Sequence, residues 1–149
     1  MITETRTTEI DGVPIVTVVS DANDNDSALI EMKNFARSHH FVWTGDNDVD
    51  VEQKNGHRLF SKRLYSNDAV VALGRSIYKR DIKAAVENDN IGRVIAIDVE
   101  SGKFALGDDE FEAVDRLRAA GGGRVVFANR VGYKAMTAVG ASIPRDTDK

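Results

Sequence analysis

Few residues of this chain have the type and spacing that chemistry needs, and each set lacks a requirement. Asp46, Asp48 and Asp50 alternate as the first ligands of a calcium loop do. An EF-hand then needs Gly at its sixth position and Glu at its twelfth, where this sequence has Val51 and His57. The segment reads as a solvated acidic turn. His39 and His40 are adjacent and His57 stands apart. Neighbours on a strand point to opposite faces, and no H-x-x-x-H or H-E-x-x-H spacing occurs, so no metal ligands are assigned. Gly121-Gly122-Gly123-Arg124 follows an expected helix and precedes an expected strand. A phosphate loop needs the reverse order, with its amides at a helix N-terminus, so the run reads as a helix stop. Asp98 and Glu100 lie two apart on an expected strand and share a face, an arrangement open to acid–base work. No nucleophile or base is recognisable beside them. No catalytic residue and no cofactor is therefore assigned, and the chain is read as a non-enzyme.

Charge is the clearest remaining signal. The 149 residues carry a net charge of −4, unevenly spread. Met1 to Gly56 holds 11 acids and 4 bases, His57 to Lys83 holds 2 acids and 7 bases, and Ala84 to Lys149 holds 11 acids and 9 bases. The middle segment is a basic island in an acidic protein. It contains Arg58, Lys62, Arg63, Arg75, Lys79, Arg80 and Lys83, with Phe60, Tyr65 and Tyr78 among them. Bases interleaved with aromatics can hold nucleic acid. They can also pair with the acidic first third of the chain, or meet an acidic protein. The overall charge opposes a polyanion-binding role.

The elements that position these residues follow from pattern. Thr3 to Ile10 and Val13 to Val19 are extended runs around Asp11-Gly12, a two-residue hairpin signal. Pro14 cannot donate to a ladder, which places this hairpin at a sheet edge. Asp26 or Ser27 is suited to cap a helix to about Ser38, with Leu29, Met32, Phe35 and Ala36 on one face. Phe41 to Trp43 is a short strand, and Asn55-Gly56 turns a second hairpin into Arg58 to Ser61. Asn67 or Asp68 is suited to cap a long helix to about Glu87, on which Val70, Leu73, Ile77 and Ala84 recur at helical spacing. Arg93 to Val99 is a strand that returns after Glu100-Ser101-Gly102. Asp108 is suited to cap a helix from Asp109 to Ala120 with a stripe of Phe111, Val114 and Leu117. Val125 to Phe127 is a further strand, and Ala135 to Val139 fits no single element. Ile95, Ile97, Val126 and Ile77 are expected to share one core with that stripe.

The pattern predicts an α+β fold, a mostly antiparallel sheet with about three helices packed on one face. Three stretches are expected: a β-β-α-β part over residues 1–66, a long helix with a second β-β-α-β module over 67–142, and a disordered tail over 143–149. The absence of cysteine excludes disulfides and fits a reducing compartment. No apolar run approaches a membrane span and Met1 to Ile10 has no signal-peptide core, so the expectation is a cytoplasmic protein without membrane contact.

The C-terminal half also carries a resemblance. Gly74-Arg75-Ser76-Ile77-Tyr78, Ile82, Val86-Glu87, Gly92 to Asp98, Ser101-Gly102, Asp108-Asp109, Ala113, Arg116-Leu117, Arg130 to Tyr133 and Val139-Gly140 resemble, in order and spacing, a family of small uncharacterised bacterial proteins. The resemblance implies an antitoxin-type or partner-binding module, encoded beside a second small protein, and carries over no catalytic residue. Lys79 stands where the family usually has Glu, and the first 60 or so residues have no counterpart. The expected function is a non-enzymatic protein-binding module that meets an acidic protein through Arg75, Lys79, Arg80 and Lys83. The alternatives are a nucleic-acid-associated regulator using residues 57–83, or an enzyme centred on Asp98. Self-association stays open.

Overall fold

The computed structural model describes residues 1–133, and the fold divides into two compact units, Met1–Ala69 and the chain from Val70 onward. Ala135 to Val139 and the 143–149 tail lie outside the described residues. The class is α+β, and among the described residues every strand pair is antiparallel. The strands form two sheets. Among the described residues no helix is long and apolar enough to cross a membrane.

In the first unit, β1 (Ile2–Ile10) and β2 (Val13–Ser20) are joined at Asp11-Gly12. Both turn residues have positive φ, 51° and 77°, as a turn matching the strand twist requires. Ile10 and Val13 flank this turn and exchange ladder bonds, so Pro14 points its nitrogen away from β1. On that side β2 meets β5 (His57–Ser66) only from Val16 onward. Proline therefore sits where no bond is lost. Helix α1 (Asn25–Ser38) covers one face of this sheet. Its cap is Asp24, which accepts from the Ser27 amide at 2.7 Å, not Asp26 or Ser27. Ala28, Met32 and Ala36 are buried against Val18, Phe60 and Leu64, with Leu29 and Phe35 beside them. Two alanines a turn to either side of Met32 let the helix lie close to the strands.

A β-bulge separates Ile2, opposite Ser20, from Glu4, opposite Val19. Because strand faces alternate, that extra residue turns Ile2 onto the α1 side while Glu4 and Arg6 stay on the other. The short β3 (Phe41–Val42) and β4 (Asp50–Lys54) both pair with β5 along one edge. Asn55-Gly56 makes the second positive-φ turn, 54° and 78°.

Helix α2 (Asn67–Ile77) starts directly from β5. The Ser66 hydroxyl, not Asn67 or Asp68, accepts from the Ala69 amide at 3.1 Å. The single α-helix expected to Glu87 is interrupted. Tyr78–Ile82 is a π-helical turn, closed by the Lys83 amide on the Tyr78 carbonyl, and α3 (Lys83–Asn90) follows. The apolar spacing explains the wide turn. Val70, Leu73, Ile77, Ile82 and Val86 are all buried, and the step from Ile77 to Ile82 is five residues. An i→i+5 turn keeps both on one face, whereas a regular helix would have buried Ala84, which is exposed.

The second sheet has the order β7–β6–β8, with β6 Val94–Asp98, β7 Phe104–Gly107 and β8 Val126–Arg130. Helix α4 (Glu110–Ala119) covers the face bearing Val94, Ala96 and Val126 with Ala113 and Leu117. Ile95, Ile97 and Phe127 share the opposite face, where a Cβ on Gly74 would come within 2.2 Å of the Phe127 ring. Helix α2 therefore rests on that ring. The single core expected from the sequence is two layers, one on each face of β6. Phe111 belongs to neither and is 84% exposed. A Cβ on Gly107 would lie 2.5 Å from the Ala113 amide nitrogen. This close approach seats α4 on Ala113 and Leu117 and turns Phe111 outward. Asp109, one residue later than expected, is the cap and accepts from the Glu112 amide at 2.9 Å. The helix ends as expected. The Gly122 amide bonds the Leu117 carbonyl and the Gly121 amide the Arg118 carbonyl, with Gly121 at φ 88°, a left-handed cap.

Candidate functional site

The basic island is divided between the two units, with Arg58, Lys62 and Arg63 in the first and Arg75, Lys79, Arg80 and Lys83 in the second. Lys62 lies on the α1 face of β5, only 2% exposed. Its ammonium donates to the Asn47 carbonyl at 2.7 Å and lies 5.0 Å from the centre of the Trp43 ring. Trp43 in turn donates to Asp46 at 3.0 Å. Lys62 thus ties the Gly45–Val49 loop down on the sheet, and the acidic turn gains a cation from within. Phe60 and Tyr65 are buried, so neither offers a ring on which a base can stack. Tyr78 is half-buried and donates to Glu87 at 3.1 Å.

Four cations remain along the helices. Arg75, Lys79 and Arg80 are exposed, and Lys83 is half-buried. Arg75, Lys79 and Lys83 follow at four-residue steps. Arg80 pairs with Asp81 at 3.1 Å and Lys83 with Glu87 at 3.9 Å. Lys79 has no carboxylate within ion-pair reach among the described residues.

Asp98 is buried, 3% exposed, and its carboxylate is committed to backbone. One oxygen accepts from the Glu100 amide at 2.9 Å and, at a longer 3.4 Å, from Ser101. The other accepts from Gly123 at 2.9 Å and Arg124 at 3.1 Å. The side chain therefore fastens the β6–β7 turn to the loop after α4. Glu100 does not share a strand face with it, because β6 ends at Asp98 and Glu100 lies in the turn. The last glycine of the helix stop takes part in this fastening. Gly123 presents its amide to Asp98, and a Cβ there would meet Arg118 Cγ at 2.7 Å.

The histidines are scattered. His39 stacks on Phe35 with ring centres 4.0 Å apart and its Nδ1 lies 3.0 Å from the Phe35 carbonyl. His40 takes a left-handed φ of 61° as the chain leaves α1. Among the described residues no group of three or more His, Cys, Asp or Glu is placed to hold a metal ion.

A feature that residue spacing did not show lies in the first unit. The β4–β5 hairpin runs past the end of β2, which stops opposite Phe60. The notch this leaves opens into a groove of about 840 Å³ lined by Glu4, Asp21, Asn23, Lys54, His57 and Arg58 among others. Its acids are engaged. Arg6 donates to Glu4 and to Glu52, each at 2.9 Å. That hydrogen bond holds the Glu4 carboxyl below its usual range, with the charges of Arg6 and Lys54 adding to it. Arg6 is raised by the same contacts. Asp21 and Glu31 hold the Met1 ammonium, raising its pKa chiefly through the Glu31 hydrogen bond. The lining residues come from β1, the β2–α1 loop and the second hairpin, so no local motif contains them. The nearest signal in the sequence is Lys54-Asn55-Gly56-His57-Arg58, a hairpin tip with cations on both sides.

Compared with family models, with curated proteins and with solved structures, the chain finds no match.

Proposed function

We propose that this chain is a non-enzymatic protein-binding module, antitoxin-like in kind, that meets an acidic partner surface along Arg75, Lys79, Arg80 and Lys83. Lys79 carries the reading. It is exposed on the π-helical turn, and no carboxylate lies within its reach among the described residues, while Arg80 and Lys83 on either side are matched by Asp81 and Glu87. Like charges at four-residue steps destabilise a helix by a few tenths of a kcal/mol each, a cost that a partner of opposite sign offsets. Supporting this reading over its alternatives, Phe60 and Tyr65 are buried and present no ring to a base, and the Asp98 carboxylate is bonded to backbone amides. By the resemblance, the product of a neighbouring gene is the first partner to test.

The experiment is the double substitution Lys79→Glu and Lys83→Glu, read by binding and by melting. Poly-glutamate serves as acidic probe beside the neighbour's product, with duplex DNA as the competing ligand. Binding of the acidic ligands weakens through a slower, salt-sensitive association rate, and the melting temperature stays within a few degrees. Unchanged binding, or a preference for DNA that the substitutions abolish, refutes the proposal.

A further inference from the structure

We propose that the notch beside β5 in the first unit is a binding site for a short acidic peptide in extended conformation. The proposal is independent of the reading of the helix face. It begins with the backbone. Lys54 and His57 flank a two-residue turn and exchange both ladder bonds. The pattern alternates, so His57 and Leu59 address β4, while Arg58 and Phe60 address the other side. There Phe60 meets Ser20, the last residue of β2. Arg58 is one alternation further out, and its peptide N–H and C=O face the groove with no strand opposite them. A strand edge of this kind accepts an added segment through main-chain bonds.

Side chains set the sign of the ligand. Lys54, His57 and Arg58 line the groove, and none has an ion-pair partner among the described residues. The acids that share the groove are already used, Glu4 by Arg6 and Asp21 by the Met1 ammonium. The groove thus has two unmatched cations, Lys54 and Arg58, beside matched acids, around a free donor and acceptor of strand geometry. A small inorganic anion would use the cations alone. An extended peptide with acidic side chains uses the cations and the Arg58 peptide group together. The volume, about 840 Å³, is within the range of sites that hold a compact ligand, enough for a few residues of strand.

The test uses the whole chain, labelled with ¹⁵N, and an acetylated, amidated hexapeptide alternating Val and Glu. The expected result is saturable binding with amide shifts centred on Arg58. Arg58→Gln and Lys54→Gln each weaken it about two- to five-fold, the range for an exposed ion pair, and added salt weakens it further. A hexapeptide with Lys in place of Glu does not bind, and one with Pro at its central Val position binds more weakly because it lacks the donor. Lys and Glu peptides binding alike, or a Pro peptide binding as tightly as the original, overturns the proposal. Inorganic phosphate that shifts the same amides while the Glu peptide does not overturns it in favour of a small-anion site. The Arg58 amide shift is read on the unsubstituted protein, so a variant that fails to fold does not remove the test.

Discussion

Replacing Asp98 by alanine tests whether this buried carboxylate is a fastener. Three amides, Glu100, Gly123 and Arg124, donate to it at 2.9–3.1 Å, with Ser101 longer at 3.4 Å. Hydrogen bonds to a charged acceptor each contribute about 1.5–3 kcal/mol, and simple addition would exceed the stability many domains possess. The real loss is smaller, because Glu100 and Arg124 are exposed and water replaces part of what their amides lose. Gly123 is half-buried and recovers less. The expected cost is about 3 kcal/mol, the scale of a broken buried network. Asp98→Asn keeps the shape but turns an NH₂ group toward amides that need an acceptor, at a cost of about 2 kcal/mol. Urea denaturation followed by circular dichroism measures both. Hydrogen exchange should show the Gly123, Arg124 and Glu100 amides losing protection together, since one side chain serves both loops. A loss below about 1 kcal/mol for Asp98→Ala, or exchange confined to one loop, refutes the reasoning and returns Asp98 to the list of groups held for chemistry.

Leu117→Ala empties a fully buried position and should cost about 2–5 kcal/mol, whereas Phe111→Ser, at a residue 84% exposed, should stay within about 0.5 kcal/mol; chemical denaturation of the pair checks which face of α4 meets the sheet. Gly74→Ala would add helix propensity worth about 1 kcal/mol, but its Cβ would fall 2.2 Å from the Phe127 ring. The overpacking should win, giving a net loss on the order of 1 kcal/mol in the same assay. The Ser27 backbone amide, and the Ser27 side chain after it, lower the Asp24 carboxyl below its ordinary 3.8. A depressed carboxyl stabilises the fold above its unfolded value and loses that contribution as pH falls through the folded one. The stability gap between the native chain and Asp24→Asn should therefore be largest above about pH 4 and close on acidification; a gap that widens in acid contradicts the cap.

The order of elements was legible in the sequence because each rests on local physics. Asp11-Gly12 and Asn55-Gly56 supply the positive φ that their turns need, and Gly121 ends α4 for the same reason. Caps were displaced by one to three residues because Asp24, Asp26 and Ser27, or Ser66, Asn67 and Asp68, are all competent. The residue that ends the preceding extended chain decides among them. Periodicity placed the helices but not their contact faces. Phe111 looked like a core residue by hydrophobicity, yet the nearest approach of Gly107 to Ala113 set the rotation of α4. The five-residue step from Ile77 to Ile82 was visible in the sequence, but only the surface each residue meets made a π-helical turn the better solution than a straight helix burying Ala84. The basic island was a sequence fact whose meaning tertiary structure divided. Lys62 went inside to hold the Asn47 carbonyl, Arg58 to the rim of a groove, and Lys79 to solvent, because charge along a chain does not specify which strand face or helix side receives it. The groove itself depends on β4–β5 outrunning β2, a difference in strand length across residues far apart in the chain, and a relation of that kind exists only once the strands have paired.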